Sequence, residues 1–194
     1  DQLGGGTPGI KLLETEPGVS QRPRISCVQL SAPVAEELRQ RLLVCFTGER
    51  RVAKNILREI MGRYLSRAPE VVKVLHQITQ IARDMKSALE EGALDEFGRL
   101  MAWHWELNKT MDARSTTAHT EQLFAEMGDL IAGGKMAGAG GGGFMEIVAR
   151  DAEAARTIRQ RLRPLLASRG GRFYEVAIDP LGVVHEAEAL RMIA

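Results

Sequence analysis

Apolar side chains in the first 48 residues form the short runs that are typical of β-strands. Gly9 to Glu14 is typical of a short strand, and the turn Glu16-Pro17-Gly18 follows it. Arg24 to Leu30 alternates between polar and apolar residues. Arg41 to Phe46 contains five consecutive apolar residues, as in a strand buried on both faces. This pattern predicts three strands.

Beyond residue 49, apolar residues recur every three or four positions, which predicts a block of amphipathic helices. A polar stretch from Asp112 to His119 interrupts the block before its last helix. The predicted helices run from about Arg50 to Ser66, from Pro69 to Gly92, from Ala93 to Met111, and through Leu123 to Ile131.

The last third of the chain predicts a strand, a helix and a strand. Phe144 to Val148 is β-like, Asp151 can cap a helix that reaches about Ser168, and Phe173 to Ile178 is a further strand. Pro164 is expected to shorten or kink that helix. Strands, a helical block and a β-α-β end together predict an α+β fold, with an antiparallel sheet covered on one face by helices.

No stretch is long enough to be a linker, so we expect a single domain over residues 1–194. Within it, residues 1–48 are strand-rich, residues 49–132 form the helical block, and residues 133–194 hold a glycine-rich motif and the β-α-β end.

The composition excludes several classes of protein. Of the 194 residues, 44% are hydrophobic and 26% charged, and the net charge of +1 argues against a nucleic-acid partner. The sequence has neither 18 consecutive apolar residues nor a secretion signal, so we expect a cytoplasmic protein without a membrane partner. Cys27 and Cys45 lack metal-ligand spacing, and we expect both to be buried thiols and no metal site.

Seven of the 20 glycines lie between Gly133 and Gly143. Gly138, Gly140 and Gly143 satisfy the pattern G-x-G-x-x-G. A dinucleotide fingerprint follows a strand and opens a helix, whereas here a helix is predicted before the glycines and a strand after them. Two interpretations remain open: a tight helix-to-strand turn, or a place where backbone closely approaches another backbone or a phosphate.

The opening residues are a second candidate for chemistry. Asp1 and Gln2 precede a glycine-rich turn, where a carboxylate could accept a hydroxyl proton. A polar loop residue is the interpretation that these residues favour when taken alone. Because the chain begins without methionine, we expect it to be a fragment.

The third predicted helix carries polar residues within its apolar stripe. His104 and Asn108 fall along this stripe, and such groups must find partners or line a cavity. Trp105 could present a ring face to a sugar while Asn108 or Lys109 bonds its hydroxyls. A hydrogen-bonded core histidine and an interfacial tryptophan are the favoured alternative.

Arginines cluster on and after the last predicted helix. A solvated helix face is favoured over a phosphate contact, because acidic residues elsewhere offset the charge. The cluster comprises Arg156, Arg159, Arg161, Arg163, Arg169 and Arg172.

Together these residues resemble the C-terminal part of a GHMP-type small-molecule kinase, the superfamily of galactokinase, homoserine kinase and mevalonate kinase. The glycine-rich segment Lys135 to Phe144 is similar to its third motif, and Asp1-Gln2-Leu3-Gly4-Gly5 is similar to the segment that supplies its catalytic aspartate. The segments most similar to bacterial L-fucose kinases and heptose-phosphate kinases are Phe46 to Gly48, Arg51 to Leu57, Trp105 to Lys109 and Asp112 to Thr117.

The resemblance implies a fold and an activity. The fold would be a ferredoxin-like antiparallel sheet with a helical insertion. The activity would be transfer of the γ-phosphate of ATP, with Mg²⁺ bridging its phosphates, to a hydroxyl of L-fucose or a related sugar. The superfamily's P-x-x-x-G-L-G-S-S loop has no counterpart in these residues. We therefore expect this fragment to be inactive alone and to need the missing N-terminal half as its partner, with a homodimer also compatible.

The same resemblance implies roles for individual residues. Asp1 would act as base or orienter for the attacking sugar hydroxyl. The residues implied for sugar binding are Gln2, Gly4, Gly5, His104, Trp105, Asn108 and Lys109. Those implied for the nucleotide are Gly138, Ala139, Gly140, Gly141, Gly142 and Gly143.

Two alternatives stay open beside the fucose kinase. One is a D-glycero-D-manno-heptose 7-phosphate kinase, which would need an added basic pocket for the phosphate of its substrate. The other is a non-catalytic binding or interaction domain that retains the glycine loop as structure.

Overall fold

The computed structural model describes residues 6–16, 18–19, 22–50 and 54–180. The chain forms two compact units, one of residues 1–29 and 177–194 and the other Leu30–Val176. In the first unit, β1 (Lys11–Glu14) and β2 (Arg24–Cys27) form an antiparallel hairpin. The Gly9 amide donates a hydrogen bond of 2.7 Å to the Asp179 carbonyl, which ties the hairpin to the returning chain. Both predicted strands are confirmed, although the second ends at Cys27.

A four-stranded antiparallel sheet is the centre of the unit Leu30–Val176. Its strands are β3 (Leu42–Phe46), β4 (Ile131–Met136), β5 (Phe144–Ala149) and β6 (Arg172–Tyr174), in the order β4-β5-β3-β6. On β3, Cys45 is paired with Met145 of β5 on one side and with Phe173 of β6 on the other. The predicted α+β fold with an antiparallel sheet is therefore confirmed.

Six α-helices belong to the described part of the same unit. They are α1 (Ala32–Arg41), α2 (Lys54–Leu65), α3 (Pro69–Glu90), α4 (Leu94–Met111), α5 (Ala118–Met127) and α6 (Ala152–Ala167). At the start of α6, Asp151 accepts a hydrogen bond of 2.7 Å from the Ala154 amide, the N-cap that the sequence predicts. Pro164 does not shorten α6, which continues to Ala167.

Two elements differ from the sequence-based expectations. Helix α1 was not predicted, because between Ser31 and Arg41 only Leu38 and Arg41 are buried and the apolar stripe is weak. The prediction of a helix through Ile131 is wrong, because α5 ends at Gly128, where φ is +50°. Residues 131–136 instead form β4, so a strand and not a helix precedes the glycine-rich segment. Because a strand also follows, the segment still lacks the helix that a dinucleotide fingerprint requires.

The core lies where α4, α5 and α6 pack on the sheet. Gly98 lets α4 approach β4 closely, since a Cβ there would lie 2.7 Å from the Ala132 Cβ. Cys45 is fully buried, and burial raises the pKa of its thiol to about 12, as expected for a structural cysteine. The prediction that Cys27 is buried is wrong, because β2 belongs to the small hairpin and leaves Cys27 exposed. No helix within the described ranges is long and apolar enough to cross a membrane.

Candidate functional site

The glycine loop, residues 137–143, joins β4 to β5 as a hairpin connection. It is closed at its base by a hydrogen bond of 2.8 Å from the Ala137 amide to the Phe144 carbonyl. Its glycines adopt left-handed backbone conformations that side-chain-bearing residues avoid. The φ values are +66° at Gly138, +78° at Gly140, +76° at Gly141, +130° at Gly142 and +96° at Gly143.

One side of the glycine loop is pressed against α4 and the turn that follows it. The Gly141 amide donates a hydrogen bond to the Ser115 carbonyl. A Cβ on Gly140 would overlap that carbonyl and would lie 2.9 Å from Cζ3 of Trp105. Gly140 and Gly141 are both buried. Here the loop needs glycine because backbone meets backbone and an aromatic ring.

The other side of the glycine loop is held by the segment that leaves β3. The Thr47 amide and hydroxyl donate hydrogen bonds of 2.9 Å and 3.0 Å to the Gly143 carbonyl. The Gly143 amide donates in turn to the Glu49 carbonyl at 2.8 Å. A Cβ on Gly142 would lie 3.0 Å from the same carbonyl. Both sides of the loop are therefore fixed by backbone contacts from distant segments.

Side chains around Thr47 and Glu49 hold that segment in place. The Glu49 carboxylate accepts a hydrogen bond of 2.7 Å from the Thr117 hydroxyl and pairs with Arg169 at 3.3 Å. Nε2 of the buried His119 lies 3.1 Å from the Thr47 carbonyl. From the sequence, Thr47 and Thr117 stand out only as members of two of the segments that resemble sugar kinases. The roles of Glu49 and His119 are not indicated by the sequence. The local pattern carries no signal for such long-range contacts.

The glycine loop also has an open side. Gly138 is exposed, and a Cβ built there meets nothing within 4 Å. Within the ranges that the structure describes, the amides of Gly138 and Ala139 have no hydrogen-bond partner. Successive unpaired amides in a turn are a binding site for oxyanions. The loop therefore fits a phosphate group on its Gly138 side, whereas Gly140 and Gly141 serve packing.

The polar residues predicted on α4 lie beside the glycine loop but not as an open sugar platform. Trp105 is only 3% exposed, and its ring stacks on Phe124 with centroids 6.3 Å apart. The expectation that the Trp105 ring face contacts a sugar is wrong, because Gly140 and Phe124 pack against the ring. Asn108 is buried as well. The Lys109 ammonium pairs with Glu106 at 2.7 Å and lies 6.0 Å from the Trp105 ring centroid.

Two consecutive residues in this region each have a ring nitrogen that is buried without a partner among the described residues. These nitrogens are Nδ1 of His104 and Nε1 of Trp105, for which no described residue supplies a hydrogen bond. The favoured expectation of a hydrogen-bonded core histidine is therefore wrong for Nδ1. Burial, and secondly the Lys135 cation, lower the pKa of His104 from 6.5 to about 4.

This depressed pKa predicts a pH dependence of stability. Between pH 6.5 and 4 the unfolded chain binds the His104 proton and the folded chain does not. The contribution of His104 to the free energy of unfolding is therefore fully present above pH 6.5. It falls as the pH drops towards 4, by at most about 1.4 kcal/mol per pH unit. We expect His104→Gln to flatten the fall in Tm across this window. The control His76→Gln, at an exposed histidine, should leave the fall in Tm with pH unchanged. If Tm falls equally steeply in both variants, His104 is not the source of this pH dependence.

Several predicted site residues lie outside the described residues. These are Asp1, Gln2, Gly4 and Gly5, so their roles stay predictions. Among the residues that are described, no group of three or more His, Cys, Asp or Glu side chains could hold a metal ion.

Comparison with known proteins places this loop and its surroundings in a family. Residues 85–165, which include α4, α5, β4, the glycine loop and β5, match the family described as GHMP kinases C terminal. Over residues 85–165 the chain carries a GHMP kinase C-terminal domain. The resemblance inferred from the glycine-rich motif is confirmed at the level of the family.

Curated relatives are much longer than this chain. It is 38% identical over 162 residues to the bifunctional fucokinase/GDP-fucose pyrophosphorylase of Arabidopsis thaliana, covering 84% of this chain and 15% of that protein. It is 34% identical over 182 residues to the L-fucokinase/L-fucose-1-P guanylyltransferase of Bacteroides fragilis, covering 94% of this chain and 19% of that protein. The chain thus spans less than a fifth of the length of either relative.

Solved structures share the fold at low sequence identity. The L. major mevalonate kinase in complex with R-mevalonate superposes with a TM-score of 0.68 at 16% identity. The match covers 90% of this chain and 50% of that one. A D-glycero-D-manno-heptose 1-phosphate kinase from Bacteroides thetaiotaomicron gives a TM-score of 0.56 at 18% identity, over 85% of this chain and 42% of that one. These similarities show the GHMP C-terminal fold and nothing finer.

Proposed function

We propose that the full-length protein carrying this GHMP kinase C-terminal domain transfers the γ-phosphate of ATP to a hydroxyl of L-fucose. The observation that carries the proposal is the similarity to two relatives named as fucokinases, at 38% and 34% identity. The glycine loop supports it, because its Gly138 side offers unpaired amides and open space to a phosphate. The heptose 7-phosphate kinase and a non-catalytic domain are the competing functions.

In this proposal the residues of the chain have separate tasks. Asp1 accepts the proton of the attacking sugar hydroxyl, whose oxygen forms the new bond to the γ-phosphorus as ADP leaves. The amides of Gly138 and Ala139 hold a phosphate oxygen of ATP. Trp105, Ser115, Thr47 and Glu49 keep the glycine loop in shape without touching the substrate. His104 and Lys109, with Gln2, Gly4 and Gly5, remain proposed for the sugar, whereas Asn108 is buried like Trp105.

Mg²⁺ supplies charge neutralisation when it is bound to the phosphates of ATP. No group of three or more His, Cys, Asp or Glu side chains is found among the described residues, and the proposal assigns none of them as a ligand of this ion. The N-terminal part of that protein is the proposed partner that completes the ATP site. Dimerisation and a cytoplasmic location remain predictions.

A substrate panel separates the competing functions. We expect the full-length protein to form ADP with L-fucose and Mg-ATP, with a kcat/KM for L-fucose at least about tenfold above that for D-galactose or the heptose 7-phosphate. ADP release coupled to a spectroscopic assay measures this directly. A preference for the heptose 7-phosphate would establish the alternative kinase, and no sugar-dependent ADP would favour the non-catalytic domain.

A further inference from the structure

Three arginines converge on a pocket of about 430 Å³ where α6 meets β6. Arg159 and Arg163 lie one turn apart on α6, and Arg172 is the first residue of β6. The small residues Ala167 and Gly171 leave room between them. Phe173 and Glu175 complete the lining of this arginine pocket.

Aromatic rings hold two of these guanidinium groups in place. Cζ of Arg159 lies 5.2 Å from the Phe173 ring centroid, and Cζ of Arg172 lies 4.8 Å from that of Tyr174. Stacking on a ring restrains a guanidinium group and leaves its N–H edge available to an oxyanion. The arginine pocket is therefore partly preorganised for binding, which lowers the entropy cost of fixing these side chains on a ligand.

The positive charge of the arginine pocket is poorly neutralised. Its single carboxylate, Glu175, lies 3.7 Å from Arg159 on a side chain that is 95% exposed, so the ion pair is weak. Arg163 and Arg172 form no ion pair with any carboxylate in residues 6–16, 18–19, 22–50 and 54–180.

Neighbouring arginines outside the pocket behave differently. Arg156 pairs with Glu153, Arg169 pairs with Glu49, and Arg161 donates to the Glu126 carbonyl. The solvated helix face that the sequence favours describes Arg156 and Arg161. Arg159 is half-buried, and it shares a concave surface with the exposed Arg163 and Arg172.

We propose that the arginine pocket binds the phosphate group of a phosphorylated small molecule, at residues distinct from those of the glycine loop. Guanidinium groups bind phosphate through paired N–H donors, and two of them here lack a carboxylate competitor. A pocket of about 430 Å³ has space for a phosphate together with a small organic body. This inference does not depend on the kinase activity, because it concerns binding alone.

The test is a ³¹P NMR titration of the full-length protein with inorganic phosphate and with galactose 1-phosphate, at low salt. We expect both to bind, the ester more tightly because the pocket also accommodates its sugar. Arg163→Gln and Arg172→Gln should each raise the Kd of the ester by about tenfold or more. Arg156→Gln removes the same charge from the solvated side of α6 and should change that Kd by less than about twofold.

The variants also separate this site from a phosphate site at the glycine loop. Gly138→Ala should leave binding at the arginine pocket unchanged, and the unfolding midpoints of all variants should confirm that they are folded. Equal weakening by Arg156→Gln, or loss of ester binding in Gly138→Ala alone, would overturn the proposal. A protein that binds neither phosphate compound but binds a polyglutamate peptide, and loses this binding in Arg163→Gln, would also overturn the proposal.

Discussion

Replacing Asp1 with asparagine in the full-length protein is expected to lower kcat for sugar phosphorylation by about 10²-fold or more. The amide keeps the shape of the carboxylate but cannot accept the hydroxyl proton. The Kd for Mg-ATP should stay nearly unchanged, because the proposed role of Asp1 concerns the sugar hydroxyl. Steady-state kinetics with L-fucose and equilibrium binding of ATP measure the two effects separately.

Glu16→Gln is the matched control for this variant. It makes the same change from carboxylate to amide at an exposed residue of the same unit, and it should leave kcat close to wild type. A near-normal kcat in Asp1→Asn would return Asp1 to the status of a polar loop residue. Equal losses in both variants would point to a general effect of charge rather than to a specific base.

Gly140→Ala is expected to be the most destabilising change in the glycine loop. Gly138 and Gly140 have similar φ values of +66° and +78°, so an alanine strains the backbone about equally at either position. That strain costs about 1–2 kcal/mol. Only at Gly140 does the new Cβ also meet the Ser115 carbonyl and the Trp105 ring. We expect Gly140→Ala to lose about 3 kcal/mol or more of unfolding free energy in all, measured by denaturant unfolding.

The order of the two glycine variants should reverse for nucleotide binding. Gly138→Ala places its Cβ in the open space that we propose for a phosphate, so its Kd for Mg-ATP should rise by more than its stability loss explains. Gly140→Ala should keep its ATP affinity in the fraction that remains folded. An unchanged Kd in Gly138→Ala would reduce the glycine loop to a structural turn. Equal destabilisation of both variants would contradict the close packing at Gly140.

The long helices of this domain were predictable from sequence because each carries a sustained apolar stripe and clear end signals. Pro69 begins α3 and Gly92 follows its end, as predicted. Strand β4 was missed because Gly133 and Gly134 are poor strand formers. They fit here since Gly133 packs against the backbone of Gly98, a contact between elements that periodicity does not reveal.

The candidate site was predictable only in part. The glycine-rich motif marked the loop and its family, but the loop is held by residues far away along the chain. The Thr47 hydroxyl and Gly143 are 96 residues apart, and Arg169 and Glu49 are 120 apart. The close packing around Trp105 has the same origin, because only the fold brings Gly140 onto its ring. Contacts at such separations follow from topology and not from local spacing.

The most direct test of the proposed activity is to follow the γ-phosphate itself. Full-length protein is incubated with [γ-³²P]ATP, Mg²⁺ and L-fucose, and the labelled products are separated. We expect the label to appear in a fucose phosphate, only when L-fucose is present, and we expect Asp1→Asn to abolish most of this labelled product. Label found only in inorganic phosphate, or no transfer to L-fucose under conditions where another sugar is phosphorylated, would contradict it.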